Sequence, residues 1–195
     1  MMRTMVAAAV MGLVALGASS SQAGAPTLDE REKAVLAQPQ SADRAFELAE
    51  AYRASKDLRR GVAFFTEFHK THPPNTMSLV WQGSLKSAAS ATGDDMEQRL
   101  DLLQSGIADM DRAVRLFPEE RRVLLVRAVT TSHFPSFLGM QAKAIRDLES
   151  VLTASDRLSP GAMASARDAL ARLYRDTGRT AEADKLLARQ AGEGR

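Results

Sequence analysis

The chain has 195 residues, no cysteine, and 26 Lys and Arg against 24 Asp and Glu, a formal net charge of +2. Without cysteine there are no disulfides, thiolate metal sites or thiol nucleophiles. The near-balanced charge, with basic residues only in scattered pairs such as Arg59-Arg60 and Arg121-Arg122, lacks the concentrated basic stripe of a nucleic-acid binder.

From the amino end, Arg3 precedes an unbroken small and apolar run, Met5 to Ala18, and then Ser19-Ser20-Ser21-Gln22-Ala23. A charged start, a short apolar centre and small residues at minus three and minus one (Ser21, Ala23) are the layout of a secretory signal. The apolar run would reach only about 21 Å as a helix, short of the roughly 30 Å hydrocarbon core, which argues against an uncleaved anchor. Residues 1–23 are therefore expected to be cleaved after Ala23, which places the protein in the periplasm or outside the cell. Cleavage removes Arg3 alone among the charges, leaving +1, and no later segment has spanning length.

Ala, Leu, Arg and Glu dominate the remainder of the chain, and Pro and Gly fall between stretches of helical periodicity. Residues 24–41 read as a lead-in with a capping helix over Leu28 to Gln38. Helices are expected over Ala42–Ala54, with Ser41 as N-cap, and over Leu58–Thr71, closed by Pro73-Pro74. A helix over Thr76–Ala91 stops before Gly93. A long one over Asp95–Phe117, capped by Asp94 or Asp95, carries Leu100, Leu103, Ile107, Met110 and Val114 at three- and four-residue steps. Glu119–His133, Ala142–Ala154, Ala162–Thr177 and Thr180–Gln190 complete the series.

Consecutive helix pairs invite a search for a repeat. With Ala42 as position 1 of a 34-residue unit, Leu48, Ala49 and Tyr52 fall at 7, 8 and 11, and Gly61, Phe65 and Pro73 at 20, 24 and 32. With Ala164 as position 1, Leu170, Ala171 and Tyr174 take 7, 8 and 11, and Ala183 and Leu187 take 20 and 24. Small residues at 8 and 20 let two helices approach while large ones fill the adjacent gaps. Between these units the register loosens. Gly106, Met110, Ala113 and Pro118 close a second unit correctly, but about eleven residues are extra before them, and Trp81 at 4 and Gly83 at 8 are mutually exclusive. A third unit from Glu119 has about six extra residues before Ala144, Leu148 and Val151. In these positions residues 42–195 resemble the tetratricopeptide repeat (TPR) family, in about four units, two with insertions. The resemblance implies an all-α solenoid of antiparallel helix pairs.

It also implies a role in binding a peptide or partner domain in a concave groove lined by the first helix of each pair. In this register the groove presents Asp43, Glu47, Glu50 and Arg53 from one unit, Val123, Leu124, Arg127 and Thr130 from another, and Asp168, Arg172 and Arg175 from the last. Glu47, Glu50, Arg53, Arg127, Arg172 and Arg175 are the candidate contacts. The Lys and Asn set that clamps a terminal carboxylate in chaperone-binding members is missing, Asn75 being the chain's single asparagine.

No nucleophile elbow, Ser-x-x-Lys pair, His-Glu-x-x-His helix or phosphate-cradling glycine loop occurs, so no catalytic residue, metal or cofactor is expected. His69 and His72 lie three apart beside Glu67, but zinc needs further ligands that nothing signposts, and histidines suit helix C-termini. Tyr52, Phe64, Phe65, Phe68, Trp81 and Tyr174 are read as core. Three other classes leave distinct marks: an envelope enzyme would show a buried, pKa-shifted carboxylate pair, a small-molecule binder a closed apolar pocket, and a structural oligomer a large apolar patch. One loop stands out. Ser132 to Gln141 carries Phe134, Phe137, Leu138 and Met140, too apolar to stand in water uncovered. Packing inside the protein, near Met96 and Leu100, explains it more simply than a projecting partner site.

Overall fold

A computed structural model of the chain describes residues 25–153 and 158–193, without side-chain detail from 189 onward. The expected signal peptide, residues 1–23, lies outside the described residues. Among those described there are nine α-helices and no strand: α1 Leu28–Ala37, α2 Ala42–Ser55, α3 Leu58–Thr71, α4 Ser78–Ala89, α5 Met96–Leu116, α6 Arg121–Thr131, α7 Gln141–Thr153, α8 Pro160–Asp176 and α9 Thr180–Glu193. Short 3-10 turns cover Ser90–Thr92 and Ser136–Leu138. No helix among the described residues is long and apolar enough to cross a membrane.

Side chains at the helix starts set the boundaries by accepting from otherwise orphaned backbone N–H groups. Thr27 and Glu30 form a reciprocal capping box on α1. Ser41 accepts from Arg44 N at 3.3 Å, Asp95 from Gln98 N at 2.8 Å, and Ser159 from Ala162 N at 3.2 Å ahead of Pro160. Asn75 does this for α4, its Oδ1 accepting from Met77 N at 3.0 Å and Ser78 N at 2.9 Å while its amide donates to the Pro39 carbonyl. The asparagine is thus a buried structural cap.

The chain divides into two compact units, one ending at Val123 and the other beginning at Leu124, within α6. In the first, α1 packs on α2, α2 on α3 and α4, α3 on α4, and α4 on α5. Leu48, Ala49, Tyr52, Phe65, Leu85 and Met110 are fully buried. Each side chain of Leu or Phe size contributes roughly 1.5–3 kcal/mol of transfer free energy. Gly61 sits where α3 passes α2, because a Cβ there would lie 2.8 Å from the Tyr52 ring. Gly83 and Gly106 meet where α4 crosses α5, so Gly83, not Trp81, keeps the repeat register. The extra residues of this unit form the 3-10 turn and lengthen α5, whose early Met96 and Leu100 are 66% and 48% exposed.

The amino-terminal helix is tied down by a polar network. Arg60 of α3 donates to Glu32 Oε1 at 2.7 Å and to Asp29, and the Tyr52 phenol donates to Glu32. Burial alone would push the Glu32 carboxyl up, but the Arg60 and Tyr52 hydrogen bonds outweigh it and hold it below the usual carboxylate range.

In the second unit α7 packs on α8 and α8 on α9, around Ala144, Leu148, Val151, Ala166, Leu170 and Ala183. Tyr174, at the same repeat position as Tyr52, donates to Glu149 Oε1 of α7 at 2.7 Å, with the Arg179 guanidinium 4.1 Å from its ring centroid. Burial and the Glu149 carboxylate push this phenol up to about 12. The apolar loop departs from expectation at its tip. Phe137 is 83% exposed, while Phe134, Leu138 and Met140 are half-buried. Pro135 and the left-handed Gly139 (φ 66°) bracket a 3-10 turn that turns Phe137 outward, so its own unit supplies no cover.

Candidate functional site

On α2, Ala45, Leu48, Ala49 and Tyr52 are buried, which leaves Phe46, Glu50 and Arg53, spaced i, i+4 and i+7, on one flank of the helix. Helix α4 is buried almost all round, being wedged against α2, α3 and α5, and it turns Trp81 and Ser84 toward that flank. The result is a small polar and aromatic cluster on the face shared by α2 and α4. Its guanidinium, from Arg53, donates through Nη1 to Glu50 Oε1 at 3.3 Å and through Nη2 to the Ser84 hydroxyl. It also stands 5.6 Å from the centroid of the Trp81 ring, in cation–π range. The Phe46 ring meets the indole edge-on at 5.7 Å and is 43% exposed.

Burial dominates the electrostatics here. It pushes the Glu50 carboxyl above the usual range, against the opposing pull of Arg53, and brings the Arg53 guanidinium below its ordinary value, against Glu50. Two buried side-chain donors among the described residues have no acceptor: Arg53 Nε and Trp81 Nε1. Buried N–H groups are nearly always paired, so both falling in one cluster marks it as unusual.

The other candidate contacts are distributed as follows. Glu47 is exposed on α2 and pairs with Arg31 of α1 at 3.5 Å. In the second unit Arg127 is buried and forms a two-pronged pair with Asp147 of α7, Nε to Oδ2 and Nη2 to Oδ1, both at 2.8 Å. Arg172 is exposed on α8 and donates to Ser132 Oγ at 2.9 Å. Arg175, also exposed, reaches Asp184 of α9 at 3.3 Å. The structure thus gathers Glu50 and Arg53 into one cluster, sets Glu47 beside them on the same helix, and turns Arg127 inward. Sequence reasoning missed Phe46, Ser84 and the polar role of Trp81. The signal was available for Phe46 alone, as the apolar member of the 46-50-53 stripe.

Neither histidine near the end of α3 meets a metal-like neighbour. His69 Nδ1 lies 2.9 Å from Ser78 Oγ, and the His72 ring stacks on Phe68 at 4.5 Å. Among the described residues no group of three or more His, Asp or Glu side chains could hold a metal. Two open hollows, of about 360 and 270 Å³, lie along the start of α5; the first is lined by Asp95, Gln98, Asp101 and Leu102, the second by Arg59, Val62, Ala89 and Leu102. Neither is a closed apolar pocket.

Comparison with solved structures gives several likenesses, two of which span most of the chain as follows. TTC0263, a thermophilic TPR protein of Thermus thermophilus, superposes with a TM-score of 0.63 at 22% identity, covering 83% of this chain and 78% of that one. MamA superposes with a TM-score of 0.52 at 16% identity, covering 86% and 88%. No family model and no curated protein gives a match. The fold is therefore TPR-like: an all-α solenoid-type arrangement of antiparallel helix pairs.

Proposed function

We propose, from that fold, that the chain is a non-catalytic protein-interaction module, exported to the cell envelope or beyond, where it serves in assembly or regulation. Its partner, a peptide or a protein domain, docks on the faces formed by the first helices of the pairs. The observation that carries this reading is the Phe46–Glu50–Arg53–Trp81 cluster. It joins charge, an exposed aromatic ring and unmet donors on the α2–α4 face, and such anchors on rigid elements suit recognition. Glu47 extends that face in the first unit, and Arg172 and Arg175 present exposed cations in the second. Arg127, held by Asp147, braces the second unit from within.

Affinity capture from a native envelope fraction tests the reading. A variant with Glu47, Arg172 and Arg175 all changed to Ala removes three exposed groups, each worth little to folding. It is expected to keep its helicity and to lose a partner retained by the unaltered protein. Equal capture by both proteins would overturn the assignment of these residues. Export is tested separately by intact mass from the native host, where the mature chain should begin at Gly24; retention of Met1 in the bulk of the material would refute it.

A further inference from the structure

The Arg53–Trp81 cluster also indicates what kind of group it lacks. Arg53 already faces one carboxylate, Glu50 at 3.3 Å, so the formal charge of the cluster is balanced. What remains unmet is hydrogen-bonding capacity: Arg53 Nε–H and the Trp81 indole Nε1–H are both buried donors without an acceptor. Trp81 is only 2% exposed, and a buried N–H without a partner carries a desolvation cost that an arriving acceptor would recover. A second carboxylate would give the cluster a net negative charge beside Glu50. A neutral carbonyl oxygen supplies the acceptor with no such penalty. Phe46, half out of solvent and edge-on to the indole, is placed to turn aside and to cover an apolar group next to that carbonyl.

We propose that Arg53 Nε and Trp81 Nε1 anchor an uncharged amide carbonyl of the partner, flanked by an apolar side chain that rests on Phe46, and that this is not a carboxylate subsite. The inference rests on the interaction-module reading and names the chemistry of its first contact. The amide can come from an extended backbone or from a Gln or Asn side chain, and the two sources are separable.

Trp81 is the chain's single tryptophan, so a ¹⁵N-labelled sample shows one indole N–H resonance, and it reports directly on the site. Three probes are titrated into the full chain at low and at high salt: N-acetyl-leucine N-methylamide, N-acetyl-glutamine N-methylamide and N-acetyl-leucine as its carboxylate. Both neutral amides should move the indole proton downfield in a saturable way, with midpoints that do not change with salt. A tighter midpoint for the leucine amide assigns a backbone carbonyl, and a tighter one for the glutamine amide assigns a side-chain carboxamide. Arg53→Lys keeps the charge but lacks the Nε donor, and it should weaken amide binding about three- to tenfold, with helicity and resonances away from the cluster unchanged. Absence of saturable movement with either amide overturns the proposal, as does tighter, salt-sensitive binding of the carboxylate. Partner capture by Trp81→Phe at the level of the unaltered protein would likewise refute this anchor while leaving the interaction-module reading intact.

Discussion

Gly83 and Gly106 lie back to back where α4 crosses α5. A Cβ on Gly83 would fall 2.5 Å from the Gly106 carbonyl oxygen, and one on Gly106 would fall 2.6 Å from the Gly83 carbonyl oxygen and 2.5 Å from Ser87 Oγ. Contacts this short against backbone leave no rotamer to absorb them, so the helices themselves must part. Gly83→Ala and Gly106→Ala are each expected to cost about 1–3 kcal/mol in denaturant unfolding. Gly178→Ala is a useful contrast. Nothing lies within 4 Å of its added Cβ, but its φ of 78° favours glycine, so about 1 kcal/mol of backbone strain is expected with no packing change. Unaltered stability in both crossing variants would remove the helix contact from the fold.

The Glu32 network makes the docking of α1 sensitive to acid. Glu32 is held below its unfolded pKa, so the unfolded chain binds more protons as pH falls through the mid-acid range, and the stabilisation is full only above that range. Glu32→Gln should cost about 1 kcal/mol at pH 7, at the low end for a charged hydrogen bond because Arg60 is partly solvated. The difference should shrink as pH drops below the unfolded glutamate value and vanish below the folded one. Hydrogen exchange of the α1 amides against pH, in both proteins, measures it; parallel profiles would show that Glu32 carries no linked proton.

Arg127 and Asp147, each buried, depend on each other. Asp147→Ala leaves a guanidinium without its carboxylate and should cost about 3–5 kcal/mol, whereas Arg127→Met combined with Asp147→Leu should recover most of that loss. Urea unfolding of the four members of the double-mutant cycle provides the comparison. A double variant no more stable than Asp147→Ala would mean that the pair does more than satisfy itself.

Phe137 is 83% exposed, so Phe137→Ser should change stability by no more than about 0.5 kcal/mol. Leu148→Ala, at a fully buried position of the same unit, should cost about 2–5 kcal/mol. Melting temperatures of the two variants give the ordering. A large drop for Phe137→Ser would show that the loop tip is covered in solution.

Local signals made the helices legible. The periodicity and punctuation around Leu58 and Thr71 predict the bounds of α3 as observed, and Ser41 and Asp95 act as the expected caps. Gly61 and Ala183 are buried at their repeat positions because close approach admits only small residues there. Helix α4 was harder. It is buried almost all round, polar Ser78, Gln82, Ser84 and Ser87 included, so no solvent-facing stripe was there for periodicity to choose between Trp81 and Gly83. The site was less legible still. Glu50 and Arg53 could be placed on an outward flank, but the meeting of Arg53 with Ser84 spans 31 residues of chain and, like that with Trp81, depends on how α2 lies against α4. Arg127 was no more legible, because from sequence a cation at a groove position cannot be distinguished from one buried by a partner 20 residues away.

The wedged position of α4 bears on how this protein can be cut. Repeat arrays usually tolerate trimming from an end, because each repeat contacts only its neighbours. Here a truncation before Met96 would uncover α4 where Gly83 and Ser87 meet Gly106, bare the buried Leu79 and Val80 one turn away, and leave Lys86 without Asp109. The shortest soluble amino-terminal fragment should therefore end after α5, near Phe117, and shorter fragments should aggregate instead of melting at a lower temperature.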